Sequence, residues 1–81
     1  MSLREQIRQF VTNNFYLPDP RALADSTSFL ETGIIDSTGV LEIVGFLERD
    51  LGLQLRDNEI VPENLDSIAN IASFVERKRT E

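Results

Sequence analysis

Apolar residues in this chain gather into three stretches of helical spacing, separated by helix breakers. Leu3, Ile7, Phe10 and Val11, with Phe15 at the end, recur at that spacing, while Arg4, Glu5, Arg8 and Gln9 fill the positions between. The pattern predicts an amphipathic helix over residues 2–15 with Ser2 as its N-cap. Pro18 and Pro20 close it, since proline lacks the N–H that a helix interior needs. A long connection then runs to Asp36. Loops of this length in small domains are usually functional or packed by their own side chains, and Phe29 and Leu30 are the expected anchors, in a short helical turn.

The second pattern runs from Ser37 to Leu51, with Asp36 as the expected N-cap and Gly52 as the stop. Advancing about 100° per residue gathers Val40, Ile43, Val44, Leu47 and Leu51 on one arc, the predicted core face. Thr38, Glu42, Gly45 and Arg49 lie opposite, Glu48 falls near Ser37, and Leu41 and Phe46 sit on the flanks, where folding does not require an apolar side chain. After Leu53 and Leu55, residues 57–61 predict one helical turn capped by Asp57 and halted at Pro62. The last helix is expected from near Asp66, with Ile68, Ile71, Ala72 and Val75 inward and Phe74 beside them. It fades into Glu76, Arg77, Lys78 and Arg79, whose cations suit the negative end of a helix dipole. No period-2 alternation competes. The expected fold is all-α: a small four-helix bundle, three main helices and one short, with a long loop between the first two, forming one domain over residues 1–81.

Composition narrows the chemistry. The 81 residues include no cysteine and no histidine, which removes disulfides, thiolate metal cages and the commonest general base. Fourteen acidic residues against eight basic ones leave a net charge of −6. That balance argues against nucleic acid and against anionic membranes, both of which need a basic surface. It favours partners with basic patches, or it simply keeps a small protein soluble. No apolar run approaches the ~20 residues of a bilayer span, and the N-terminus lacks the apolar stretch of a signal peptide. A cytoplasmic monomer is expected.

The informative stretch is the one around Asp36 and Ser37. A glycine-containing loop delivers an Asp-Ser pair to the start of a helix, where unpaired N–H groups and the positive end of the dipole lie. A serine hydroxyl there suits a phosphate ester, and Asp36 suits both the helix start and recognition by a modifying enzyme. The plain alternative is that Asp36 or Ser37 only caps the helix, for which both residue types are preferred. The lack of histidine argues against a self-activated serine nucleophile, which needs a base. Either Ser37 is structural, or another enzyme modifies it.

The run Phe29-Leu30-Glu31-Thr32-Gly33-Ile34-Ile35-Asp36-Ser37 resembles the attachment motif of acyl and peptidyl carrier proteins: apolar, acidic, any residue, Gly, two mostly apolar residues, then Asp-Ser. The order of helices is similar across nearly the whole chain, and Leu65-Asp66-Ser67-Ile68 resembles the family's entry into the last helix. The resemblance implies that Ser37 accepts 4′-phosphopantetheine from coenzyme A through a separate phosphopantetheinyl transferase. The chain would then act as a non-catalytic carrier whose arm holds an acyl or aminoacyl thioester. An adenylate-forming ligase would load it, and an acyltransferase, synthase or modifying enzyme would receive the cargo. Thr38 and Gly39 follow the serine where fatty-acid carriers usually have Leu or Met. Asp-Ser-x-Gly is closer to stand-alone D-alanyl and aminoacyl carriers. Thr38, Leu41, Glu42, Gly45 and Glu48 form the expected partner face. Gly39 and Gly45 each cost up to ~1 kcal/mol in a helix, either to admit a partner or as a packing compromise.

Three other readings stand beside this one. The chain is an unmodified acidic interaction module, or it uses Glu31 and Asp36 for acid–base work, or it holds calcium near Asp19 and Asp25, although the alternating oxygen ligands of an EF-hand loop are missing.

Overall fold

The computed structural model describes residues 2–80; Met1 and Glu81, the ends of the expected 1–81 unit, lie outside them. Helix α1 spans Leu3–Asn14, and the Ser2 hydroxyl accepts from the Glu5 N–H as expected of its cap. Ile7 and Val11 are buried on its inner face. Beyond it the chain turns extended at Phe15 and drops Leu17 and Leu23 into the core. A 3-10 turn, Pro20–Ala22, lies between them, opened by the Asp19 carboxylate on the Arg21 N–H. Polar bonds hold this long connection as well. Asp25 takes Arg4 at 2.8 Å and Arg8 at 2.6 Å from α1, and its carbonyl takes the Ala69 N–H at 2.8 Å. The expected short turn at Phe29 is helix α2, Phe29–Thr32, capped by the Ser28 hydroxyl and ended by Gly33 at φ 75°. Only glycine adopts that backbone without strain.

Helix α3 spans Val40–Asp50, so it starts three residues later than the predicted Ser37. A tight turn comes first. The Asp36 carboxylate takes the Gly39 N–H, and the Leu41 and Glu42 amides bond three residues back rather than four. Ile43 and Leu47 are fully buried, while Val40, Val44 and Leu51 pack partly against the core. Phe46 corrects the helical wheel. Placed on a dispensable flank, it is buried, its ring stacked on Phe10 of α1 with centroids 4.4 Å apart. Phe15 meets Phe10 edge-on at 6.1 Å, so α3 has a second apolar contact, on the α1 side. Gly52, at φ 71°, ends α3 as expected.

The next segment differs more. Residues Asp57–Glu59 form a 3-10 turn, closed by the Glu59 carboxylate on the Arg56 N–H rather than by an Asp57 cap. Pro62 opens a helix instead of halting one: α4 spans Pro62–Leu65. A first-turn proline loses nothing, since that N–H has no intrahelical partner. Helix α5 spans Ile68–Arg79 and is capped by Ser67, so it starts two residues past Asp66, near which it was expected. Ile68, Ile71, Ala72, Phe74 and Val75 are buried along it. At its basic end Lys78 pairs with Glu59 at 2.9 Å.

All regular elements among the described residues are helical, three longer helices and two single-turn ones with two 3-10 turns. The Cα radius of gyration is 11.7 Å, as for any compact chain of this length. Among the described residues no helix is long and apolar enough to cross a membrane.

Candidate functional site

Asp36, Ser37, Thr38 and Gly39 make the turn that feeds α3. The Asp36 Oδ1 accepts from the Gly39 N–H at 2.7 Å, and its carbonyl accepts from the Val40 N–H at 3.2 Å. Asp36 therefore closes the turn before α3 rather than capping the helix as expected: the N-cap is Gly39, which has no side chain to do so, and the hydroxyl of Ser37 makes no bond in the turn. Ser37 is exposed, as is Thr38, and among the described residues no acceptor meets either N–H. Two free amides beside an exposed hydroxyl are compatible with a phosphate ester there.

Gly39 is buried, and the reason lies inside the molecule. A Cβ there would fall 2.8 Å from Ile35 Cγ2 and 3.0 Å from Phe15 Cε1. The close approach that glycine permits is thus made by this chain's own core. At Gly45 the case is opposite: a Cβ would meet only the Arg49 guanidinium carbon, at 4.0 Å.

Ser37 stands at the edge of a mainly apolar cavity of about 210 Å³, walled by Phe29 and Leu30 of α2, Val40 and Leu41 of α3, and Ile60, Val61, Pro62 and Leu65 around α4. Asp66 supplies its one carboxylate, and its described lining holds no cation. On the other side of Leu41 lies an open, more polar groove between α1 and α3. Thr38, Leu41, Glu42, Gly45 and Arg49 line it together with Phe10 and Asn14. No family model matches the chain, and no curated protein matches its sequence. What the site does has to be judged from its own residues.

The structure brings most of the anticipated residues together. Thr38, Leu41, Glu42 and Gly45 share one groove, and Leu41 is 62% exposed. Glu48 stands apart from it and accepts from the Leu55 N–H at 3.3 Å, where it holds the chain that leaves α3. The residues that the sequence reading missed are Ile60, Val61, Pro62, Leu65 and Asp66. A signal was there: Ile60, Val61 and Pro62 are an apolar triplet too short to have a helical face of its own. Tyr16, 82% exposed beside Phe15, was missed too. With Leu30 and Leu41 it makes up the large apolar side chains left exposed among the described residues. Leu30 and Leu41 line the same cavity as Ser37, and Tyr16 follows Phe15, whose ring packs against Gly39.

Of the carboxylates considered for other chemistry, Asp19, Asp25 and Asp36 are engaged elsewhere, while Glu31 is exposed on α2 and its side chain has no partner among the described residues. Asp36 is bound to its own turn, and Asp19 meets Arg21 at 3.4 Å. Arg4, and then Arg8, hold the Asp25 carboxyl below its ordinary range by hydrogen bonding to it. Glu59 is lowered likewise, first by the Arg56 N–H and then by Lys78.

Proposed function

We propose that the chain is a carrier that bears a 4′-phosphopantetheine arm on Ser37 and presents an acyl or aminoacyl thioester to separate enzymes. The observation that carries this reading is the state of Ser37 itself: exposed, with its hydroxyl unused in a turn that Asp36 closes, beside two free amides and at the edge of an apolar cavity. These surroundings fit the group. The amides of Ser37 and Thr38 suit the phosphate, and the apolar wall of Leu30, Val40 and Leu41 suits the aliphatic part that follows it. The arm would supply a thiol to a chain with no cysteine and no histidine.

The partner set follows from the same surface. Asp36 and Glu42 are exposed around Ser37, and Asp66 adds a third carboxylate, so a transferase or a loading ligase would meet the site through basic residues. Leu41 and Leu30 offer the apolar contact at the centre of that ring. In this reading α1, α3, α4 and α5 are the four helices of the carrier bundle, and α2 belongs to the loop that delivers the serine. The Asp-Ser-x-Gly order favours an aminoacyl-type ligase as the loading enzyme.

The test is incubation with coenzyme A, Mg²⁺ and a promiscuous phosphopantetheinyl transferase. The intact mass should rise by one arm in the wild type and stay unchanged in Ser37→Ala. A wild type left unmodified beside a fully modified control carrier would reject the reading, leaving an acidic helical docking module.

A further inference from the structure

The connection that leads to Ser37 is stitched to the entry of α5, and one residue makes most of the stitches. The Asp66 carbonyl accepts from the Phe29 N–H at 2.8 Å, and its Oδ1 accepts from the Leu30 N–H at 2.9 Å. Its Oδ2 accepts from the Ser28 hydroxyl. Three consecutive residues at the start of α2 therefore end on three oxygens of a single residue that is 36 residues from Leu30 in the chain. Aspartate suits the place. The Ser28 oxygen also accepts from the Glu31 N–H at 3.1 Å, so its one proton has to go outward, and a carboxylate offers only acceptors.

From α2 the linkage continues to the attachment turn. The Ile35 N–H donates to the Phe29 carbonyl at 3.3 Å, and the Ile35 methyl is the nearest of the groups packed where Gly39 has no side chain. Asp66, Phe29, Leu30 and Ser37 also line one cavity. We infer that Asp66 is a positioning residue for Ser37: by fixing residues 28–30 it sets the attitude of the Asp36–Gly39 turn and the width of the cavity beside it. This rests on the carrier reading, because the hydroxyl being positioned is the one a transferase must reach.

The experiment compares the full-length wild type with Asp66→Ala, Asp66→Asn and Ser28→Ala. Amide exchange at Leu30 and Ile35 is followed by NMR, the global melt by circular dichroism, and arm transfer from coenzyme A by kcat and KM. Asp66→Ala should exchange Leu30 and Ile35 about ten-fold faster while α1 stays protected, as expected of local opening. It should also lower kcat/KM of transfer about ten-fold, mostly through kcat. Asp66→Asn, whose amide oxygen can still serve Leu30, should stay within about three-fold. If Asp66→Ala is unfolded at the assay temperature, Ser28→Ala decides, and it should show the same two changes at smaller size. Transfer at the wild-type rate in the folded variant, or unchanged Leu30 and Ile35 exchange, overturns the inference while the carrier reading stands. A wild type that takes no arm overturns both.

Discussion

At the scale of single residues, two glycines in one helical region answer to different causes. Gly39 is filled from within, by Ile35 and Phe15. Gly39→Ala forces those buried groups to shift, and overpacking of this kind costs about 1–3 kcal/mol. Urea denaturation should show that loss, with slower arm transfer to Ser37 accompanying it. Gly45 faces open space. Gly45→Ala should therefore raise stability by up to about 1 kcal/mol, the difference in helix propensity. If the groove is where a partner seats, the same variant is expected to be a poorer substrate for the transferase. Unchanged transfer kinetics would remove Gly45 from the partner face. Asp36 belongs at this scale too, because it closes the turn before α3 without using the neighbouring hydroxyl.

At the scale of elements, α3 shows where a local pattern succeeds and where it fails. Its two apolar contacts predict unequal costs. Phe46→Ala removes a buried ring stacked on Phe10 and should lose about 3–5 kcal/mol. Leu41→Ala, at an exposed position, should change the melt by no more than about 0.5 kcal/mol and yet reduce transfer. A single wheel with one core arc foresaw Ile43 and Leu47 but not Phe46, since nothing within α3 says that α1 lies across its flank. Helix α1 was legible almost to the residue, because its cap, its period and its terminating prolines are all local. The start of α3 was not. Asp-Ser-x-Gly serves equally as a first helical turn or a tight turn before one, and the packing of Gly39 on Phe15 decides which. Pro62 was ambiguous for a similar reason: proline stops one helix and begins another with the same ring. Of the site, Ser37, Asp36 and the groove residues were readable from the motif and the wheel. The Asp66 bonds join residues far apart in sequence, so no window along the chain could have shown them.

At the scale of the whole molecule, ion pairs fasten the connections to the long helices, and they give stability a direction with pH. Asp25 joins the first connection to α1, and Glu59 joins the 3-10 turn to α5 through Lys78. Both carboxyls are held below their ordinary range in the folded chain. A lowered folded value means that the unfolded chain binds protons first. The stabilisation is then fully present above the ordinary carboxylate range and is lost as pH falls through the folded values. The melting temperature should thus be flat from neutral pH down to about 5 and decline below about 4. Asp25→Asn should melt lower at neutral pH and show a shallower acid decline. An unaltered acid slope in that variant would assign the pH dependence to other carboxylates.

Leu41 belongs to two surfaces at once, since its side chain borders both the apolar cavity beside Ser37 and the open groove toward α1. Whatever fills one hollow leans on a partition shared with the other. An occupant of one hollow that turns the Leu41 rotamer changes the shape of the other, and by thermodynamic reciprocity any such effect on affinity is the same in both directions. An enzyme gripping the outer face would in this way sense whether the inner one is full.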